Sequence, residues 1–119
     1  MSSLATPTHR LLDLLTVVVF LAAPSVFHLS GPPEDIAYLI AAVHLLMTIL
    51  TIFPPAGRGV VPFALHGTVE LLVGLGLVTL TFALRWTGVA HTFYLVMGIV
   101  MLLIWTLSEY KGKVAPRRR

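Results

Sequence analysis

The polar residues divide this chain into four long apolar runs, about Leu11–Leu29, Ile36–Phe53, Val60–Trp86 and Val89–Tyr110, with charges gathered at the run ends instead of along any helical face. Crossing the hydrocarbon of a bilayer takes about 20 residues of helix, within a range of ~17–25. The second run is near the short limit. The third exceeds the need, so its start near Pro62 is expected in the interface, where proline suits a first helical turn. Lipid offers exposed backbone groups no partners, and none of the runs alternates polar with apolar as barrel strands do, so four helices are expected. The breaks are Ser30-Gly31-Pro32-Pro33-Glu34-Asp35, Pro54-Pro55-Ala56-Gly57-Arg58-Gly59 and Thr87-Gly88. Glycine interrupts a helix by its backbone entropy and proline by its missing donor.

The second half of the chain repeats the first at a constant offset of 57 residues. His9 falls on His66, Asp13 on Glu70, Leu14-Leu15 on Leu71-Leu72, Gly31 on Gly88, Leu45-Leu46 on Leu102-Leu103, Leu50 on Leu107 and Phe53 on Tyr110. The polar matches carry the weight, because histidine and acidic residues are scarce in so apolar a chain. The pattern predicts an all-α, four-transmembrane-helix bundle made of two tandem helical hairpins. Repeat one covers 9–53, a linker 54–62, repeat two 66–110 and a basic tail 111–119. With two helices per repeat, both copies insert in the same direction, and the pseudo-twofold axis runs along the membrane normal.

Composition agrees. A chain of 119 residues that is 57% hydrophobic and 11% charged lacks the polar exterior a soluble globule needs. It has no cysteine, which excludes disulfides and thiolate metal sites. The net charge of +3 does not indicate nucleic acid, since no basic face is formed. Arg10, Arg58, Lys111, Lys113 and Arg117 to Arg119 all fall on one side of a four-span arrangement, and Arg85 lies on the other with Glu34 and Asp35. That bias places both termini in the cytoplasm, with the terminal arginines against an anionic inner leaflet. Arg10 and Ala22-Ala23 would suit a signal peptide, but Asp13 interrupts the apolar run and the repeat equates it with the third helix, so a retained helix is expected. Trp86, Trp105, Tyr110, Phe27 and Phe53 fall near span ends as interfacial anchors, and Arg85 can snorkel to the headgroups.

His9 with Asp13 and His66 with Glu70 are i,i+4 pairs, each on one face of its helix. An ionised acid within a membrane is costly unless paired, so both pairs should face the bundle interior. They suit either a structural clasp joining the repeats or a proton- or ligand-binding site, histidine titrating near neutrality. His44, mid-helix, has Met101 as its repeat equivalent, and together, or as His44 with His66, they could be axial ligands of a haem or chlorophyll. Gly74, Gly76, Gly98, Ala37 and Ala41 are expected to allow close helix approach, with Ala41 and Gly98 equivalent in the repeat. Pro24 should kink the first helix. The sequence holds no Ser/His/Asp set, no phosphate loop and no His-Glu-x-x-His metal motif, so no catalytic or metal residues are expected.

The unit His-x3-acid-Leu-Leu, a long apolar span, a Gly loop and a second span closing in (Thr/Ser)-x-(Phe/Tyr) resembles the SPW-repeat family of small bacterial membrane proteins, over nearly all of His9–Tyr110. Ala23-Pro24-Ser25 stands where the family carries Ser-Pro-Trp, and Thr81-Phe82 occupies that place in the second repeat. The resemblance implies a multi-pass protein of the bacterial inner membrane without an assigned enzymatic activity. The expectation is therefore a non-enzymatic accessory or structural subunit in the lipid bilayer, forming a homo-oligomer or joining a membrane complex. A small proton-coupled transporter using His66 and Glu70, or a haem- or pigment-binding subunit using His44, are the alternatives.

Overall fold

A computed structural model describes residues 6–52 and 60–108. Phe53, Arg58, Tyr110 and the basic tail, on which part of the expected membrane orientation rests, lie outside the described residues. Four helices follow one another: α1 Thr6–Val26, α2 Pro32–Leu50, α3 Phe63–Ala83 and α4 Gly88–Leu107. All four are long and apolar enough to cross a membrane, and they form a helical bundle. Helices one to three start three to five residues before or after the edges of the apolar runs, because prolines and caps set the first turn. Pro32 and Pro33 occupy the first helical positions of α2, and Glu34 and Asp35 complement the positive end of its dipole.

The duplication is visible in the backbone. The limits of α1 and α3 are 57 residues apart at both ends, and α2 and α4 stop at the equivalent Leu50 and Leu107. The connections within the two hairpins repeat as well. His28 and Arg85 both take a left-handed conformation, φ 55° and 57°, and Gly31 and Gly88 follow at 67° and 64°. Leu29 N–H donates to Pro24 O, and Trp86 N–H to Thr81 O, each at 3.0 Å, closing the helix end with a Schellman-type bond. Such a residue is usually glycine, and holding histidine or arginine there costs roughly 1–2 kcal/mol. Glycine at 31 and 88 avoids that cost where the next helix begins.

The core is one-sided on every helix. Along α1, buried positions run His9, Asp13, Val17, Phe20 and Pro24, a spacing that keeps one face inward. The opposite faces expose large apolar residues such as Leu11, Val18, Leu39, Leu46, Leu72 and Leu103. Contiguous exposure on that scale suits lipid as the surrounding medium. Around Phe20 and Tyr94 an aromatic layer joins the hairpins: Phe20 meets Phe93 edge-on at 5.4 Å, and Tyr94 packs on Trp86 at 4.8 Å. Tyr94 O–H, on α4, donates to Pro33 O at the start of α2 over 2.6 Å. Trp86 thus packs partly on the core as well as marking a span end.

Helices α3 and α4 touch backbone to backbone at Gly74 and Gly98. A Cβ on Gly98 would come 2.6 Å from Val78 Cγ2 and 3.0 Å from Gly74 O. Ala41, the equivalent of Gly98, is buried in the first hairpin, as is Ala37 one turn before it. Gly76 departs from expectation: a Cβ there meets nothing, because its position on α3 turns away from α4. One further element was not anticipated. Thr51–Ile52 and Val61–Pro62 pair as two short parallel strands, and Val60 N–H donates to Leu50 O at 2.8 Å, so the end of α2 is held against the start of α3.

Candidate functional site

The two i,i+4 pairs and His44 converge on one buried polar centre. His9 and Asp13 are fully buried, His66 and Glu70 are 1% and 2% exposed, and His44 is 6% exposed. Asp13 and Glu70 each lie seven residues into their helices, about 10 Å along the axis at 1.5 Å per residue.

The pairing crosses the repeats. His9 Nε2 lies 3.2 Å from Asp13 Oδ2 on its own helix and 3.3 Å from Glu70 Oε1 on α3. His66 Nε2 approaches Asp13 Oδ2 of the other repeat at 3.0 Å. His44 Nε2 lies 3.3 Å from Asp13 Oδ1 and 3.7 Å from Glu70 Oε2. Each i,i+4 pair is buried on one face of its helix, and the two faces meet each other. The rings pack on one another, His66 lying 5.6 Å from His9 and 5.9 Å from His44, with Phe63 edge-on to His9 as an apolar lid.

Two hydroxyls set the outer side of the centre. Ser108 Oγ–H donates to Ile104 O, so His9 Nδ1–H donates to Ser108 Oγ, both over 2.6 Å. Thr51 Oγ1–H donates to Met47 O, so His66 Nδ1–H donates to Thr51 Oγ1 at 2.7 Å. The hydrogen-bond network thus assigns both rings the same orientation, Nδ1–H outward and Nε2 toward the carboxylates. Thr51 and Ser108 are themselves 57 residues apart, so the histidine of each repeat is held by the last turn of the other. In the sequence these two residues stand out only as part of the closing (Thr/Ser)-x-(Phe/Tyr) pattern. Their role needed the crossing of the hairpins.

The other candidates are placed as follows. Met101, the equivalent of His44, is buried in the apolar core cluster with Phe20 and Tyr94. His44 turns its Nε2 to Asp13, so an axial-ligand role would take that nitrogen from the carboxylate. Asp13 Oδ2 faces two imidazole nitrogens yet receives no hydrogen bond of proper angle, and Thr48 Oγ1, one turn beyond His44, is likewise buried and unsatisfied. One ligand atom each from His9, Asp13, His66 and Glu70 lie within 4.8 Å of one another, a spacing that could hold a metal ion. Comparison with protein-family models, curated proteins and solved structures finds no match for this chain.

Proposed function

We propose that this chain is a non-enzymatic, multi-pass membrane protein in which the buried histidine–carboxylate centre clasps two helical hairpins together, and that it serves as a structural or accessory subunit of a membrane assembly. The observation that carries this reading is the crossed arrangement, in which His9 bonds to Ser108, His66 bonds to Thr51, and the Asp13 carboxylate faces His66 Nε2 at 3.0 Å. Every one of these contacts joins one repeat to the other. Interhelical polar contacts are among the forces available for association in lipid, where the hydrophobic effect between helices is absent. The SPW-repeat resemblance, an inner-membrane location and cytoplasmic termini belong to the same proposal. They are supported by the two-hairpin duplication and by the placement of Lys and Arg in the sequence.

The test is to compare His66→Ala and Glu70→Ala with the wild type in detergent and in vesicles. The clasp reading expects both variants to unfold more readily while proton and solute flux through vesicles stay at the background of the wild type. A wild-type flux that vanishes in a variant of unchanged stability would overturn it. That outcome would favour a proton-coupled transporter, the second reading. Its support is the presence of two carboxylates and three imidazoles in one centre, more titratable groups than a fastener requires.

A further inference from the structure

The orientation of the two outer imidazoles says more than that they are fastened. In His9 and His66 the Nδ1–H is given to a hydroxyl whose own proton is committed to a helix carbonyl. Each ring therefore turns Nε2 inward, toward oxygens at 3.0–3.3 Å. Metal-bound histidines show this arrangement, one nitrogen on the ion and the other held from outside by an acceptor that fixes ring and tautomer. In a four-coordinate site with bonds of about 2.0–2.1 Å, neighbouring ligand atoms lie roughly 3.3–3.4 Å apart. Three nitrogen–oxygen separations, His9–Asp13 at 3.2 Å, His9–Glu70 at 3.3 Å and His66–Asp13 at 3.0 Å, are close to such edges, and the four ligand atoms all lie within 4.8 Å of one another. Asp13 Oδ2 adds to this: it is fully buried and lies 3.2 and 3.0 Å from two Nε2 atoms, yet accepts no hydrogen bond from either.

Charge balance points the same way. Two carboxylates in a dry interior call for two positive charges. One divalent cation supplies both while all three imidazoles stay neutral. His44, beside Asp13 Oδ1 and Glu70 Oε2, then donates its Nε2–H to a ligating carboxylate instead of binding the ion. The donor set of imidazole and carboxylate without sulfur suits a first-row divalent ion such as zinc, and offers too few oxygens for calcium.

We propose that His9, Asp13, His66 and Glu70 form a binding site for one divalent transition-metal ion of the zinc class, lying between the repeats, with Ser108, Thr51 and His44 orienting its ligands. The inference rests on the clasp reading in one respect, that the same four side chains join the two hairpins. The metal then acts as the pin of the clasp, and bundle stability becomes dependent on its supply.

The experiment uses the full chain purified in mild detergent, stripped with a chelator and reloaded with zinc or cobalt. The expected result is one ion per chain by elemental analysis after desalting, and with cobalt the intense visible absorption of a four-coordinate complex, lost when zinc is added. Glu70→Gln, which keeps volume, should weaken binding by more than about 100-fold, and Ser108→Ala by about 10–100-fold, as removal of an outer partner does. Substoichiometric metal on folded wild type, or equal binding by Glu70→Gln, overturns the site. Failure of this inference and of the clasp are separable. If stripped His66→Ala is destabilised but wild type takes up no metal, the clasp stands and the metal site falls. If metal binds and stripped His66→Ala is as stable as the stripped wild type, the reverse holds.

Discussion

Thr51→Val is the cleanest probe of the crossed clasp, because it removes one hydroxyl and keeps the shape of the side chain. Two bonds disappear: the donation from Thr51 to Met47 O within the same chain turn, and the acceptance from His66 Nδ1–H at 2.7 Å. The first is also made by Thr68 to Ala64 O at 3.2 Å on an exposed face, so Thr68→Val is the matched control. What remains after subtraction is the cross-repeat bond. A buried donor left unsatisfied costs about 1–3 kcal/mol, whereas interhelical polar contacts in membranes average about 0.6 and reach about 1.7 kcal/mol. His66 is almost fully enclosed and also pairs with a carboxylate, so the upper end of the membrane scale applies, about 1.5 kcal/mol. Thr68→Val should stay within about 0.5 kcal/mol of wild type, as surface substitutions do. The assay is reversible unfolding in mixed micelles with increasing SDS, followed by helix signal. If the two variants unfold at the same SDS fraction, the hydroxyl–imidazole bond contributes nothing and the crossed clasp is wrong at this point.

Four other substitutions test the packing outside the centre by the same unfolding measurement. Gly98→Ala places a methyl group 2.6 Å from Val78 Cγ2 and 3.0 Å from backbone atoms of α3, and should cost about 1–3 kcal/mol as overpacking does, while Gly76→Ala should be neutral or slightly stabilising. Tyr94→Phe deletes the bond to Pro33 O and should cost about 1 kcal/mol. Phe20→Ala empties the aromatic layer beside Phe93 and Tyr94 and should cost about 3 kcal/mol or more; a loss under about 1 kcal/mol would mean the hairpins are not held together there.

Much of this architecture is legible in the sequence, since apolar length, Pro and Gly placement and the 57-residue offset are local or periodic signals. The left-handed residues repeat at that offset although their side chains differ, His28 in one repeat and Arg85 in the other; the backbone conformation is shared where residue identity is not. The centre was half legible. An i,i+4 spacing tells that His9 and Asp13 share a face, and the cost of a membrane acid tells that the face is inward. Neither tells which partner waits there. His66 reaching Asp13 of the other repeat, and Ser108 reaching His9 across 99 positions of chain, depend on how two hairpins cross. Gly76 shows the opposite failure: a small residue permits close approach without requiring it.

His44 is the member of the polar centre whose repeat equivalent is apolar, and it offers the sharpest remaining argument. At the equivalent place of the second repeat a methionine fills the same kind of position and is fully buried. If position 44 only needed filling, His44→Met would make the halves alike and leave stability unchanged, since methionine is of similar size and adapts to irregular gaps. If instead His44 holds the Asp13 carboxylate, the same substitution removes the hydrogen bond to Oδ1 at 3.3 Å. A bond to a charged group contributes about 1.5–3 kcal/mol, and the length of this one places it near the lower figure. His44→Met is therefore expected to lose about 1.5 kcal/mol in the SDS titration, with Asp13→Asn in the same background costing less than it does alone, because the carboxylate has already lost that partner. Full additivity of the two substitutions would show that His44 and Asp13 act independently, and would leave the third imidazole as packing.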